Sequence, residues 1–252
     1  MDLGLAGKHA IVLGGSRGIG FYTVAALLQE GARVTLCARG REGVSAAVEQ
    51  LSEQGEVDGA AVDLADAQAT ERFVQTSAER AGRLDVLIHN ASGFGVDASR
   101  ESWQRAFDVD VMAGVAAVEA GLPFLRESGD GSIVFVGSMA SKYHFGREAS
   151  AYGPMKAAMR TYANELAQNH GKDGVRANVV SPGAVWFPGG VWDQRKQENP
   201  KFYAGVERSI PLGRLGSAEE IANIIAFTAS PAGRWLNATH LAADGGQVAA
   251  VD

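Results

Sequence analysis

Leu13-Gly14-Gly15-Ser16-Arg17-Gly18-Ile19-Gly20 decides the fold because of what stands on either side of it. Ahead of it, Lys8–Leu13 is an apolar run of strand length; behind it, the segment from about Gly18 to Glu30 reads as helix. Glycines in a strand-to-helix turn permit a tight bend and let backbone N–H groups approach an anion at the helix's positive end. Alone, a glycine-rich turn is a weak signal. Between a first strand and a first helix it has the context that a dinucleotide's pyrophosphate requires. Gly14, Ser16, Arg17, Gly18, Ile19 and Gly20 are therefore candidate cofactor contacts.

The alternation continues outward from this turn. Arg33–Ala38, Val57–Val62 and Leu84–His89 read as the second to fourth strands, with helices over Gly43–Gln54 and about Ala67 to Arg80 between them. A long helical stretch, roughly Ser99 to Arg126, precedes a strand at Ser132–Val136. A helix ending near His170, a strand at Val175–Val180, a helix at Ala218–Ala229 and a short apolar segment at Thr239–Ala243 complete the order. Such alternation predicts an α/β fold, a Rossmann-type doubly wound parallel sheet with helices on both faces. No linker or repeat divides it, so residues 1–252 are expected to form one dinucleotide-binding domain. Only Trp186 to Arg208 lacks clear periodicity. It follows a strand end, where ligands bind in such sheets, so it reads as a lid or as a variable surface loop. Its five aromatics, Trp186, Phe187, Trp192, Phe202 and Tyr203, are costly to leave in water and favour the lid.

The end of the second strand selects the dinucleotide. NAD binders usually carry an acid there for the adenosine ribose hydroxyls. Here the strand ends Cys37-Ala38-Arg39 with no acid, and Arg39 with Arg17 can bind a ribose 2′-phosphate through charge-assisted hydrogen bonds. NADP(H) is expected ahead of NAD(H). The third strand ends in Asp63-Leu64, where the carboxylate either meets an adenine amino group or caps the following helix.

Tyr152 and Lys156 lie four residues apart in a helical stretch, with Ser138 a short loop upstream, and no other Tyr has a Lys four positions on. That spacing puts phenol and ammonium on one face, one turn apart. An ammonium beside a phenol favours the phenolate and so suits the pair to proton transfer. Ser138 could hold a carbonyl or carbinol oxygen against that phenol. Taken alone, the pair reads better as a half-buried Tyr and a solvated Lys; the surrounding order of elements overturns that. Tyr143 and Arg147 share the spacing but precede the helix, so Tyr143 and Phe145 read as pocket wall or surface, and His144 as a substrate contact or a solvated side chain.

Bulk properties narrow the class. The chain has 252 residues, 46% hydrophobic and 21% charged, with 32 glycines against seven prolines. A net charge of -6 argues against a nucleic-acid or membrane surface. No apolar run approaches membrane-span length, and Met1 to Lys8 lacks a secretory leader's layout. Cys37 is the single cysteine and reads as a small buried hydrophobe, which fits a reduced, cytoplasmic setting. The five histidines show no metal-ligand spacing, and no metal is assigned.

With these residues assembled, the chain resembles the short-chain dehydrogenase/reductase family over nearly its whole length. The family's T-G-x-x-x-G-x-G turn corresponds to Leu13 through Gly20, with Leu13 replacing the threonine. Its N-N-A-G segment appears as His89-Asn90-Ala91-Ser92, and its Y-x-x-x-K pair as Tyr152 and Lys156. Its catalytic serine falls on Ser138. The P-G motif is Pro182-Gly183, Val185 fits the position that meets the nicotinamide carboxamide, and a threonine often found two residues on is Phe187. Asp244-Gly245-Gly246 looks like the family's C-terminal segment. One departure touches the active site: the asparagine that completes the family's tetrad and supports a relay water is Asp110, in Phe107-Asp108-Val109-Asp110.

The resemblance implies hydride transfer between a nicotinamide and a carbonyl or alcohol carbon. It casts Ser138, Tyr152, Lys156 and Asp110 as catalytic, and Asn90, Ala91, Tyr152, Lys156, Pro182, Gly183 and Val185 as cofactor contacts. Overall it is nearest to 3-oxoacyl-(acyl carrier protein) reductases and similar ketoreductases. The lid aromatics favour a bulky or apolar carbonyl compound. An acidic carrier protein would need a basic rim, to which Arg126, Arg147, Lys172 and Arg176 could contribute, and free ketones or acyl thioesters rank ahead of it. The resemblance also suggests a homotetramer or homodimer burying Ala113–Ala120 and the Tyr152 helix between subunits. The rival reading is a cofactor-sensing or scaffold protein, with Asp110 as a mark of lost catalysis.

Overall fold

His9–Leu13 (β1) is buried along its whole length, as expected of a strand covered on both faces of a parallel sheet. The computed structural model describes residues 2–145 and 148–249. After β1 come Gly18–Gln29 (α1), Arg33–Ala38 (β2), Arg41–Leu51 (α2), Val57–Ala61 (β3), Ala67–Ala81 (α3) and Val86–His89 (β4). Arg100–Ala106 (α4) runs through a π-helical turn at Phe107–Met112 into Ala113–Glu127 (α5). Gly131–Val136 (β5), Tyr152–His170 (α6) and Val175–Pro182 (β6) follow. Val185–Trp186 (β7), Val191–Glu198 (α7), Pro200–Ser209 (α8), Gly216–Ser217 (β8), Ala218–Ala229 (α9) and His240–Ala243 (β9) complete the order.

Seven strands form one parallel sheet in the order β3-β2-β1-β4-β5-β6-β9. The chain winds from β1 out to β3, then crosses back to β4, so the switch point lies between β1 and β4. That is where such a sheet opens a crevice beyond its carboxyl ends. One face is sealed by Val24 and Leu27 of α1, Leu51 of α2 and Ile221 and Ile225 of α9. Phe73 and Val74 of α3, Ala117 and Leu125 of α5 and Met159 and Leu166 of α6 seal the other. Helix starts follow local chemistry: Asp66 caps α3 by accepting the Ala69 N–H at 3.0 Å, and Ser217 with Glu220 forms a capping box on α9. Among the described residues no helix is long and apolar enough to cross a membrane.

Two expectations need correction. The stretch from 186 to 208 is mostly helical, as α7 and α8 broken at Asn199-Pro200; the Asn199 carboxamide accepts the Phe202 N–H at 3.1 Å, and Pro200 begins α8. Here Trp192 stacks on Phe202 with 6.1 Å between ring centroids, and Arg195 lies 4.9 Å from the Trp192 ring. Of the small side chains of α5, Ala113, Gly114, Ala116 and Ala117 are buried in this chain's own core, the intrachain role that explains them as well as a subunit contact does.

The second correction is Arg176, which is buried and cannot join a basic rim. Its guanidinium donates to the carbonyls of Thr228, Ala229, Ser230, Gly233 and Leu236 at 2.9–3.4 Å and to the Ser132 hydroxyl at 3.3 Å. One side chain from β6 thus adds donors at the end of α9 and on the approach to β9, where the carbonyls of Ser230, Gly233 and Leu236 also accept from the Gly233 N–H, the Leu236 N–H and the Asn178 carboxamide. Arg147 lies outside the described residues. Arg176→Leu should cost about 3 kcal/mol, since each buried carbonyl left without a donor is worth roughly 1–3 kcal/mol. In a thermal melt that is a fall of about 6–12 °C for a chain of this size; a loss no greater than an exposed substitution causes would remove the bonds from the fold's support.

Candidate active site

The crevice between β1 and β4 is built by close backbone approach. The N–H groups of Gly14 and Gly15 both donate to the Cys37 carbonyl at 2.8 and 3.0 Å, which folds the turn back over β2. The Asn90 carboxamide donates to the Gly14 carbonyl at 2.8 Å and ties the turn to the end of β4. A Cβ at Gly20 would overlap the Gly14 carbonyl oxygen and stand 2.5 Å from Asn90 Nδ2, so only glycine fits there. Cys37 is fully buried, and burial pushes its thiol up to about 12.

α1 begins at this turn with Arg17 in the N-cap position, no side-chain cap and no acid in its first turn. Its leading N–H groups and dipole are left for an anion. Arg17 and Arg39 are both exposed, and among the described residues neither has an ion-pair partner. Gly43 near the start of α2 lies beside Ser16, 3.8 Å from its hydroxyl to a built Cβ, so two helix N-termini converge on the turn. These features fit a phosphorylated dinucleotide. Asp63 is exposed and accepts the Ala65 N–H at 3.1 Å; it does not cap α3, a task that falls to Asp66. Leu64 is buried behind it.

Catalytic geometry centres on α6. Lys156 is buried, and its ammonium lies 3.0 Å from Asp110 Oδ1 while donating to the Val136 carbonyl at 3.0 Å. The Val136 carbonyl takes one of its three N–H groups while Asp110 pairs with it through charge, so N–H capacity remains for a ligand hydroxyl. Burial alone would lower the lysine's pKa; the Asp110 carboxylate and the Tyr152 phenol outweigh it and hold the pKa above the ordinary value. The ammonium stands 6.0 Å from the Tyr152 ring centroid, on the same helix face as the spacing requires.

Tyr152 starts α6, and its N–H donates to the Gly95 carbonyl at 3.0 Å. Ser138 caps the 3₁₀ turn Met139–Ser141, accepting the Ala140 N–H at 3.1 Å. A Cβ built at Gly153 would stand 2.8 Å from the Ala140 carbonyl, so the start of α6 rests directly on the Ser138 turn. On the other side, Gly183 N–H donates to the Ala243 carbonyl at 3.1 Å, Pro182 ends β6, and Val185 pairs with Gly216 in the β7–β8 ribbon.

Two features escaped sequence reasoning. His89 is buried, and its Nε2 donates to the Asp110 carbonyl at 3.1 Å, which fixes the tautomer; burial, then the Lys156 charge, lowers its pKa to about 4. The Phe187 ring lies against Gly18, 2.6 Å from a built Cβ, at the mouth of the dinucleotide turn. Neither could be read from spacing, because each joins segments far apart in sequence. The apolar ring at the family's threonine position was the one available hint.

Comparison with known proteins agrees with this geometry. A family model described as enoyl-(acyl carrier protein) reductase matches residues 14–247. Isoepoxydon dehydrogenase of Penicillium expansum is 37% identical, covering 98% of this chain and 96% of its own. The rhamnolipids biosynthesis 3-oxoacyl-[acyl-carrier-protein] reductase of Pseudomonas aeruginosa is 33% identical over 96% of each chain. The crystal structure of L-sorbose reductase from Gluconobacter frateurii, complexed with NADPH and L-sorbose, superposes with a TM-score of 0.90 at 28% identity over the whole of both chains. The chain belongs to the short-chain dehydrogenase/reductase family. It is an oxidoreductase of that family rather than a sensor or scaffold.

Within the family frame, the turn at Gly20 gives a direct test. Gly20→Ala forces the Gly14 carbonyl or Asn90 to move, at a cost of about 1–3 kcal/mol for a strained close approach. Calorimetric titration should show NADPH affinity falling about tenfold or more. Unchanged affinity would mean the turn adapts freely and does not shape the cofactor site.

Proposed function

We propose that this chain reduces a free ketone of bulky or apolar character at the expense of NADPH, by the chemistry of Ser138, Tyr152 and Lys156. The observation that carries the reading is the buried Lys156 ammonium, fixed by Asp110 and Val136 one helical turn from Tyr152 beside the Ser138 turn. The cofactor is NADP(H). Arg17 and Arg39 would hold its 2′-phosphate and the α1 N-terminus its diphosphate; Asn90, Ala91, Pro182, Gly183 and Val185 line the rest of its path. A bound nicotinamide supplies the hydride.

The chain's own residues do the remainder. The Ser138 hydroxyl donates to the substrate oxygen and stabilises the charge that develops there. Tyr152 delivers its phenolic proton to that oxygen as the hydride arrives, and takes a proton from the alcohol in the reverse direction. Lys156 keeps a positive charge beside the phenol and offers its remaining N–H to a ribose hydroxyl.

The preference for a bulky or apolar substrate rests on exposed rings near the crevice. Phe94 is 49% and Phe202 46% exposed, and Trp192 with Phe202 forms a stacked pair on the α7–α8 segment, which we read as the lid. The names of the relatives support a carbonyl substrate of varied kind: a 3-oxoacyl thioester in one, L-sorbose in another. A carrier-protein substrate is disfavoured, because burial of Arg176 removes one member of the basic rim. A cytoplasmic homotetramer or homodimer belongs to the same reading, supported by family membership and the single buried cysteine.

Tyr152→Phe tests the chemistry. Turnover measured by NADPH absorbance against a panel of ketones should fall about 10²–10⁴-fold, the usual worth of a positioned acid, while NADPH still binds. Full activity in that variant would remove the phenol from the reaction. Arg39→Ala tests the cofactor end. The Kd for NADPH should rise about 10–100-fold with the lost charge-assisted contact and that for NADH should not move; equal loss for both would detach Arg39 from the 2′-phosphate.

A further inference from the structure

Asp110 sits between two donors. Its Oδ2 accepts the Gly93 N–H at 2.8 Å, and its Oδ1 faces the Lys156 ammonium at 3.0 Å. A carboxylate can satisfy both, because both oxygens accept. An asparagine accepts on one side only and would turn its NH₂ toward one of the donors. The family's asparagine is thus replaced in a setting built for a carboxylate. His89, which replaces another family asparagine, fixes the backbone of the same residue by donating to the Asp110 carbonyl at 3.1 Å. The π-helical turn Phe107–Met112 presents side chain and carbonyl to these partners, closing with the Ala113 N–H on the Asp108 carbonyl.

We propose that Asp110 is a positioning residue that ion-pairs Lys156 directly and screens the ammonium's field at Tyr152, so that the phenol is held in its proton-donating form and the enzyme is set for carbonyl reduction. The inference rests on the reading of Tyr152 as the acid. Other groups do not supply this charge. His89 from β4 is buried and neutral at physiological pH, β5 and the Met139–Ser141 turn carry no ionisable side chain, and the one charge on β6, Arg176, is engaged by the end of α9. The charged residues of α4, namely Arg100, Glu101 and Arg105, are exposed to solvent. Only Asp110 and Tyr152 face the ammonium with negative or developing negative charge, and the raised pKa of Lys156 agrees with that pairing.

Asp110→Asn tests it, with Asp110→Ala as a second removal of the charge should the first fail to fold. Tyrosinate absorbance of each protein, less that of its Tyr152→Phe counterpart, isolates the signal of residue 152 without any turnover. Loss of the carboxylate should move that signal to lower pH by about one unit, a roughly tenfold gain in phenolate at fixed pH. The alkaline fall in ketone reduction should begin lower by the same interval, and alcohol oxidation at neutral pH should rise by up to about tenfold. A purely structural role would lower kcat at every pH and leave the absorbance in place. Unmoved or upward-moving absorbance overturns the proposal. A wild-type protein that reduces no ketone, yet shows the shift in Asp110→Asn, would overturn the proposed function and leave this inference standing.

Discussion

A buried ammonium is the constraint on which the rest of this site depends. Taking a lysine charge out of water costs several kcal/mol, and the charge survives only where an opposite charge and further acceptors replace its hydration. Lys156 finds a carboxylate 3.0 Å away on one side and the Val136 carbonyl at 3.0 Å on the other. Both come from elements whose placement is set by the sheet. Val136 ends β5, so its carbonyl lies at the crevice because parallel strands all deliver their carboxyl ends to one edge. Asp110 reaches the same point because the helix between β4 and β5 passes through a π turn there, a feature that often marks functional sites. Loss of Asp110 would remove the one opposite charge, and the Val136 carbonyl alone would leave the ammonium with a single neutral acceptor.

The dinucleotide end shows the opposite strategy, with charge left in water until a ligand arrives. Arg17 and Arg39 are solvated, and the α1 N-terminus has neither cap nor acid. These groups are ordered by a neutral frame: Asn90 on Gly14, and Gly14 and Gly15 on Cys37. Rigid backbone and mobile cations suit a ligand whose diphosphate needs fixed N–H groups and whose peripheral phosphate needs only charge at reach.

What the sequence made legible follows from distance along the chain. The Gly14–Gly20 turn, the Tyr152–Lys156 spacing and the strand order are all local patterns, and each maps onto one element or one connection. The His89–Asp110 bond spans 21 residues and the Gly18–Phe187 contact far more; no periodicity records such a meeting. Arg176 was misread for a different reason. Arginines are usually solvated, and only the ring of carbonyls from Thr228 to Leu236 shows that this one is held inside as a donor to a helix end and the turn after it. In 186–208 the helices are too short, at eight and ten residues, to declare a period, and their faces are little buried.

That shallow burial bears on how the site works. Among the described residues of α7 none is buried, and Tyr203 is the one buried residue of α8, packed with Ala184, Ile210 and Leu215 while Trp192 and Val206 pack partly buried beside them. Segments with few buried contacts open at low free energy compared with the sheet beneath them. Yet the connection that leads into α7 is held firmly, with Trp186 Nε1 and the Gly189 N–H both donating to Asp193 and the Phe187 ring lying on Gly18. A shallowly buried helical pair thus joins the sheet through a tightly tied stem. The Phe187 ring of that stem lies against Gly18, so the stem and the glycine turn share a direct contact.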